Sequence, residues 1–407
     1  MNHYLLEKPP KWWAPKLSPF WMRIWRPFRQ RFQIRGQRLL DVDVRGAQHV
    51  RAAADAGHGV LITPNHSTHA DCYTMFRASD QVGLPFYYMV AWQVIARGSW
   101  LRQLSLQQHG CFSVDREGTD MRAFRQAVDI LKSASNPLVI FPEGEVYHCN
   151  DRLRPFREGP AAMALLAARK GSRPVSCVPC AVKYRYVQDP TAQLLDTMDQ
   201  LEQAVYWRPR PDLSLQERIY RLAEGLLALK EIEILGHTCT GSTSERIAQL
   251  VEFLLGEIEK RHEIDGAAAT VPERVKALRR RILDQFEQLP ETDPGRQACE
   301  CSLEDVFLVV QLYSYPGDYV SENPSIERIA ETLDKLEEDL LKIPTATIRG
   351  TRRAEITFGE PIPVETGKSQ KGATHRLTSL LEERVQQLLN ESTGGQSGSE
   401  DSSPGCA

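Results

Sequence analysis

Val60-Leu61-Ile62-Thr63-Pro64-Asn65-His66-Ser67-Thr68-His69-Ala70-Asp71 is the stretch on which the fold turns. It opens with a strand-like apolar run, Gly59 to Thr63, closed by Pro64, and helical patterning follows to Ala78, with the helix expected to begin near Thr68. Strand, loop and helix in succession are the unit of an α/β protein, and the loop beyond a strand's carboxyl end is where such proteins hold ligands. That loop carries His66 and, five residues on, Asp71. On one continuous helix the two would lie about 140° apart. They meet only if His66 sits on the loop and Asp71 in the first helical turn. A carboxylate so placed would bind one imidazole nitrogen, fix the tautomer and leave the other nitrogen to take a proton. Thr68-x-x-Asp71 also has the form of a capping box, which accounts for Asp71 but not for His66.

Outward from this stretch the alternation continues. Leu39 to Val44 is a strand candidate, Met121 to Ser133 a helix, and Pro137 to Phe141 an apolar run suited to a strand buried on both faces. A helix from Pro160 to Lys170 and a strand from Val175 to Val182 extend the series to about residue 190. The fold class expected is α/β, with a central, mostly parallel or mixed sheet flanked by helices. The middle of the chain changes character. Leu213 to Leu235, Ser244 to His262, Pro272 to Gln288, Ser302 to Tyr313 and Ser325 to Lys342 all have helical apolar spacing, with Ser, Thr or Pro near several starts. A strand pattern returns at Ala346 to Phe358, and a last helix spans His375 to Leu389. The expected organisation is therefore an arm at 1–36, a main α/β part at 37–190, a helical insertion or additional domain at 191–342, a sheet-closing strand and last helix at 343–390, and a disordered Ser/Gly-rich tail at 391–407.

Composition excludes some classes. The 407 residues carry a formal net charge of −3, so no chain-wide field attracts nucleic acid, and anion binding must come from local patches. The nine cysteines are an odd number without a zinc-ribbon spacing, and Cys177-x-x-Cys180 lies in a strand-like run as small apolar residues. No run approaches the length of a spanning helix, and the N-terminal residues lack the order of a signal peptide. A protein on the cytoplasmic side that meets membrane only from outside is expected. The arm supplies a means: from Lys8 to Arg38 there are nine Lys or Arg and no acid, with Trp12, Trp13, Trp21 and Trp25, and Phe20, Ile24, Phe28 and Phe32 recurring every four residues. That mixture suits an anionic lipid headgroup layer. It equally suits an arm whose aromatics pack on the domain while its arginines are solvated. Pro27 is expected to kink or split any helix through it.

Two further segments close strand-like runs on functional residue types. Gly110-Cys111-Phe112-Ser113-Val114-Asp115-Arg116 ends in a guanidinium suited to a phosphate. Phe141-Pro142-Glu143-Gly144 is a tight turn after an apolar strand.

In this order and spacing the three segments, with the Val178-Pro179 strand, resemble the blocks of the glycerol-phosphate and lysophospholipid acyltransferase family. Phe358-Gly359-Glu360-Pro361-Ile362 looks like the family's sheet-closing strand end. The resemblance covers about 37–190 and 343–390. It implies that His66 takes the proton from an acceptor hydroxyl attacking an acyl-CoA or acyl-carrier-protein thioester, and that Asp71 orients His66. Phe112, Arg116, Glu143 and Gly144 would bind the acceptor, by default 1-acyl-sn-glycerol-3-phosphate, to give phosphatidate. No metal or other cofactor is implied. One departure bears on the acceptor: where the family's third block continues with an arginine, this chain has Glu145 and Val146. Arg152, Arg154 and Arg157 follow, and a different lysolipid or alcohol acceptor stays open.

Two other classes compete. His66, His69, Asp71 and His148 would suit a metal-dependent hydrolase, although H-x-x-H-x-D is one residue off the H-x-H-x-D-H of metallo-β-lactamase-like enzymes. A non-catalytic lipid-surface adaptor is the third reading, against which stands the presence of both His66 and Asp71.

Overall fold

The structure, a computed structural model, describes residues 9–116, 120–264, 270–365 and 372–394. The start of the arm and nearly all of the expected tail lie outside these residues. The described residues fall into two compact units, one built mainly from 9–116, 120–189 and 348–394, the other from 190–347.

The first unit is α/β. Its elements are α1 (Pro19–Gly36), β1 (Leu39–Arg45), α2 (Ala47–Asp55), β2 (Gly59–Pro64), α3 (Asp71–Val82), β3 (Tyr87–Ala91), α4 (Trp92–Ala96), α5 (Trp100–Gln108), β4 (Cys111–Val114), α6 (Met121–Ser133), β5 (Leu138–Val139), α7 (Gly159–Lys170) and β6 (Val175–Tyr186). The second unit holds α8 (Thr191–Ala204), α9 (Leu215–Leu235), α10 (Thr243–His262), α11 (Val271–Gln288), α12 (Gly295–Tyr313), α13 (Tyr319–Glu322) and α14 (Ile326–Leu340). The chain then returns to the first unit as β7 (Arg352–Phe358), β8 (Ile362–Pro363) and α15 (Ala373–Gly394).

The sheet order is β1-β7-β6-β2-β5-β3-β4, with β8 also on β6. β6, β2, β5, β3 and β4 are mutually parallel, whereas β7 and β8 run antiparallel to β6. The sheet is thus mixed but mostly parallel, flanked by helices. β2 is buried along its whole length and alternates between two cores. Val60 and Ile62 pack with Val50, Met75 and Phe76 from the α2 and α3 side, while Leu61 packs with Ala127, Leu131, Ala164 and Leu381 from the α6, α7 and α15 side. Each such aliphatic residue contributes roughly 1.5–3 kcal/mol by leaving water. This double burial is why the strand reads as a continuous apolar run rather than an alternating one.

β5 is shorter than the apolar run at 137–141 suggests. Pro137 and Pro142 bracket it without ladder donors, and beyond Val139 only the Ile140 N–H continues the pairing, to the Ile62 carbonyl at 3.1 Å. Pro179 stands inside β6, where proline is usually excluded. Its carbonyl accepts the Gly359 N–H at 2.8 Å, so its nitrogen faces the same side, at the break between β7 and β8. The missing N–H costs little there.

Other expectations shift. The helix expected near Thr68 begins at Asp71, and β7 begins at Arg352 rather than Ala346. α15 runs to Gly394, four residues into the segment expected as tail. α1 continues through Pro27. Contacts on one of its faces offset the lost backbone bond: Met22 and Gln33 are buried, Trp25 Nε1 donates to Gln108 Oε1 at 3.0 Å, and Arg29 pairs with Asp80 at 3.1 Å.

The helical unit is organised by capping boxes at Ser214/Glu217, Ser242/Glu245 and Thr270/Glu273. Its core joins α10, α11 and α12 through Leu250, Leu255, Leu278, Ile282, Leu303 and Val306. Arg218, almost fully buried on α9, is neutralised by Glu202 of α8 at 2.7 Å.

Candidate active site at the carboxyl end of β2

β2 delivers the chain to a loop whose residues are each tied down. Asn65 is fully buried and forms a two-way clamp on β6: Nδ2 donates to the Val182 carbonyl at 2.9 Å, and the Val182 N–H donates to Oδ1 at 2.7 Å. His66 follows with its ring stacked on Phe141, centroids 4.2 Å apart. Its Nδ1 lies 2.7 Å from Asp71 Oδ2, at the start of α3. The same oxygen accepts the Thr68 N–H at 3.1 Å, so Asp71 caps the loop and faces the histidine at once. A carboxylate can only accept, which makes Nδ1 the protonated nitrogen and leaves Nε2 with its lone pair. The His66 side chain is 17% exposed and Asp71 not at all. The pair is therefore reachable from solvent only at the imidazole.

Asp71 has a second support that the sequence analysis did not single out. Tyr184 of β6 donates its hydroxyl to Asp71 Oδ1 at 2.7 Å, and its oxygen lies 2.7 Å from Thr74 Oγ1. Burial, and then the negative Asp71, hold the Tyr184 phenol well above its ordinary pKa, so it stays a donor. A buried tyrosine needs a partner for its hydroxyl, which was the one signal in the sequence. Its partner lies 113 residues away and follows only from β6 running beside β2. Cys72, next to Asp71, is pushed up to about 12 by burial and by that same charge, and is an inert thiol.

Glu143, from the turn after β5, is buried and spends its carboxyl on backbone. Oε1 accepts the His66 N–H at 2.8 Å and Oε2 accepts the Arg154 N–H at 3.2 Å. Burial raises its pKa to about 8, against the pull of those two bonds. Gly144 follows at φ +78°, a left-handed conformation that favours glycine. Arg116 reaches the same turn: Nη1 donates to the Gly144 carbonyl at 2.8 Å and pairs with Glu145 Oε2 at 2.8 Å. Phe112 is fully buried in the core beside Leu61 and Ile140. The ends of β2, β4, β5 and β6 thus bring His66, Asp71, Arg116, Glu143 and Gly144 into one neighbourhood. The His69 ring meets His148 edge-on, centroids 5.7 Å apart, while His66 is held by Asp71.

The arrangement offers a part-exposed imidazole with a lone pair, a buried carboxylate behind it and a cation–glycine turn beside it. That can remove a proton from a hydroxyl and stabilise the resulting imidazolium. Residues 41–183 match the family model described as Acyltransferase. A glycerol-3-phosphate acyltransferase of Pseudoalteromonas atlantica is 28% identical over 158 residues, which are 38% of this chain and 19% of that protein. The match thus spans about a fifth of that relative's length. This part of the chain is accordingly similar to an acyltransferase domain and, distantly, to that enzyme.

Proposed function

From an acyltransferase-family domain at 41–183, we propose that the chain transfers a fatty acyl group from a thioester, acyl-CoA or acyl-carrier protein, to the hydroxyl of a lysophospholipid. The observation that carries this reading is the 2.7 Å bond between His66 Nδ1 and the fully buried Asp71. His66 Nε2 takes the hydroxyl proton as the acceptor oxygen attacks the thioester carbonyl. The tetrahedral adduct collapses, the C–S bond breaks, and the thiolate leaves with the proton returned by His66. The new ester carries the acyl group, and no serine nucleophile is needed because the thioester is already activated. Glu143 fixes the backbone of His66, while Arg116 and Gly144 line the acceptor side. By family resemblance the default acceptor is 1-acyl-sn-glycerol-3-phosphate, while the Glu145 carboxylate paired to Arg116 favours a different lysolipid. The helical region at 191–342 is then an insertion within the acyltransferase domain, since β7 and β8 complete its sheet.

We further propose peripheral attachment to an anionic membrane surface through α1. Two faces of the arm support it. Trp13 is buried, Trp25 bonds to Gln108, and Arg122 lies over Trp12 at 4.1 Å. Phe20, Trp21, Ile24, Phe28 and Phe32 are all exposed, with Arg23, Arg26 and Arg31 between them. No helix of the described residues is long and apolar enough to cross a membrane.

The test is thiol release from acyl-CoA and acyl-carrier protein across a panel of acceptors, for the wild type and His66→Ala. The variant should fold normally and lose activity by ~10²–10⁴-fold, the range for a general base. Full activity in His66→Ala sinks the proposal.

A further inference from the structure

Between the Gly144 turn and Arg116 lies a charge arrangement that the acyl-transfer reading does not by itself require. Glu145 stands where the family's third block continues toward an arginine, and its carboxylate is paired to Arg116 Nη1 at 2.8 Å. Both side chains are part-buried, 19% and 24% exposed, so the pair is shielded more than a surface ion pair. Arg157 approaches from the other side. Its backbone N–H donates to the Pro142 carbonyl at 2.9 Å, and a β-carbon placed on Gly144 would lie 2.5 Å from its Nε. That Nε is buried without a hydrogen-bond partner. Burial opposes ionisation of Glu145, but the charges of Arg116 and Arg157 outweigh it and hold the carboxyl below the ordinary glutamate range. The Arg154 guanidinium lies over the Tyr147 ring, 5.9 Å from its centroid, while its backbone N–H is held by Glu143.

Arg116 and Arg157 approach Gly144 from two sides, and the Glu145 carboxylate already occupies Arg116. The turn also follows Glu143, which holds the His66 backbone, so these groups stand beside the proposed base. A phosphomonoester carries nearly two negative charges at neutral pH and a phosphodiester one. With Glu145 already on Arg116, the second charge of a phosphomonoester would meet a carboxylate rather than a cation.

We propose that Glu145 sets acceptor specificity, so that the site takes the phosphodiester headgroup of a lysophospholipid and turns away the phosphomonoester of lysophosphatidate. Arg157 supplies the cation that the third block lacks, and Glu145 cancels that of Arg116. The proposal rests on the acyl-transfer reading, and its test includes a binding measurement that needs no turnover.

The full chain is titrated calorimetrically with glycerol 3-phosphate and with glycerophosphoglycerol, as wild type, Glu145→Gln and Glu145→Ser, at about pH 7.5, where the monoester is a dianion. Removing one carboxylate a few ångströms away should raise the monoester-to-diester affinity ratio ~10- to 100-fold. Adding Arg116→Ala to Glu145→Gln should remove that gain. In turnover, the wild type should use lysophosphatidylglycerol in preference to lysophosphatidate, and Glu145→Gln should narrow or reverse the ratio. An unchanged affinity ratio in both Glu145 variants overturns the proposal, as does a wild type that already prefers the monoester. If no acceptor supports His66-dependent thiol release, the acyl-transfer reading itself fails, whatever the headgroup titrations give.

Discussion

Glu143 allows a test whose sign and size both follow from its surroundings. Its carboxyl is 3% exposed, accepts the N–H groups of His66 and Arg154, and titrates at about 8, against an ordinary value of 4.5. The folded protein therefore holds this proton to higher pH than the unfolded chain does. The stability linked to it is fully present below pH 4.5 and is lost as pH rises toward about 8. At about 1.4 kcal/mol per pH unit, the loss between pH 5 and pH 8 is on the order of 4 kcal/mol. Glutamine cannot titrate, so Glu143→Gln should lack this slope. It carries instead a constant penalty of about 1–3 kcal/mol, because its amide NH2 cannot accept one of the two backbone donors. Denaturant unfolding of both proteins from pH 5 to pH 8, followed by a probe in the α/β unit, gives the difference directly. The wild type should be the more stable at pH 5, and its advantage should shrink or reverse by pH 8. Curves that stay parallel across that range refute the argument, since they would mean that Glu143 ionises alike in both states. The variant should also lose activity, because one of the two bonds that anchor this turn, to His66 and to Arg154, is lost, and small misplacements of a base cost about 10²-fold.

Tyr184→Phe removes the donor on Asp71 Oδ1. A bond to a buried carboxylate is worth about 1.5–3 kcal/mol, so stability should drop by that amount, and kcat for thiol release by ~10-fold or more with KM for the thioester little changed. Wild-type kcat would show that Tyr184 does not act through Asp71. Asn65→Leu leaves the Val182 N–H and carbonyl without their buried partner and should cost about 1–3 kcal/mol for each orphaned group, read as a fall in the unfolding midpoint. Phe20→Ala combined with Phe28→Ala strips two exposed rings from α1. Sedimentation with vesicles containing phosphatidylglycerol should show at least ~10-fold weaker binding, since each ring contributes up to roughly 1.5–3 kcal/mol when it enters the apolar layer. Unchanged binding would refute a lipid role for that face.

Particular residues show what was legible in advance. The β2 run and the α6 pattern were readable because each is a local periodicity, and the helices Met121–Ser133 and Gly159–Lys170 fall within a residue of their expected bounds. The segments that sequence periodicity did not resolve, α2, β3, α4, α5 and α8, are short or have mixed faces. The arm needed coordinates because its spacing alone does not say which aromatics pack on the domain and which stay exposed. Trp13 and Trp25 serve the domain, while Phe20 and Phe28 face out.

The sequence by itself determined the α/β class and the long helical middle, and it supplied the candidate residues of the proposed site. His66 and Asp71 are five residues apart, and the strand–loop–helix pattern around them is local. What only the tertiary structure decided is what stands behind and beside that pair. Tyr184 and Val182 reach it because β6 lies parallel to β2, Glu143 because β5 lies on the other side, and Glu145 meets Arg116 because the ends of β4 and β5 converge. Those partners are 29 to 117 residues apart in the chain, a separation at which periodicity carries no information. Strand order sets such contacts, and it is fixed by which apolar faces bury together.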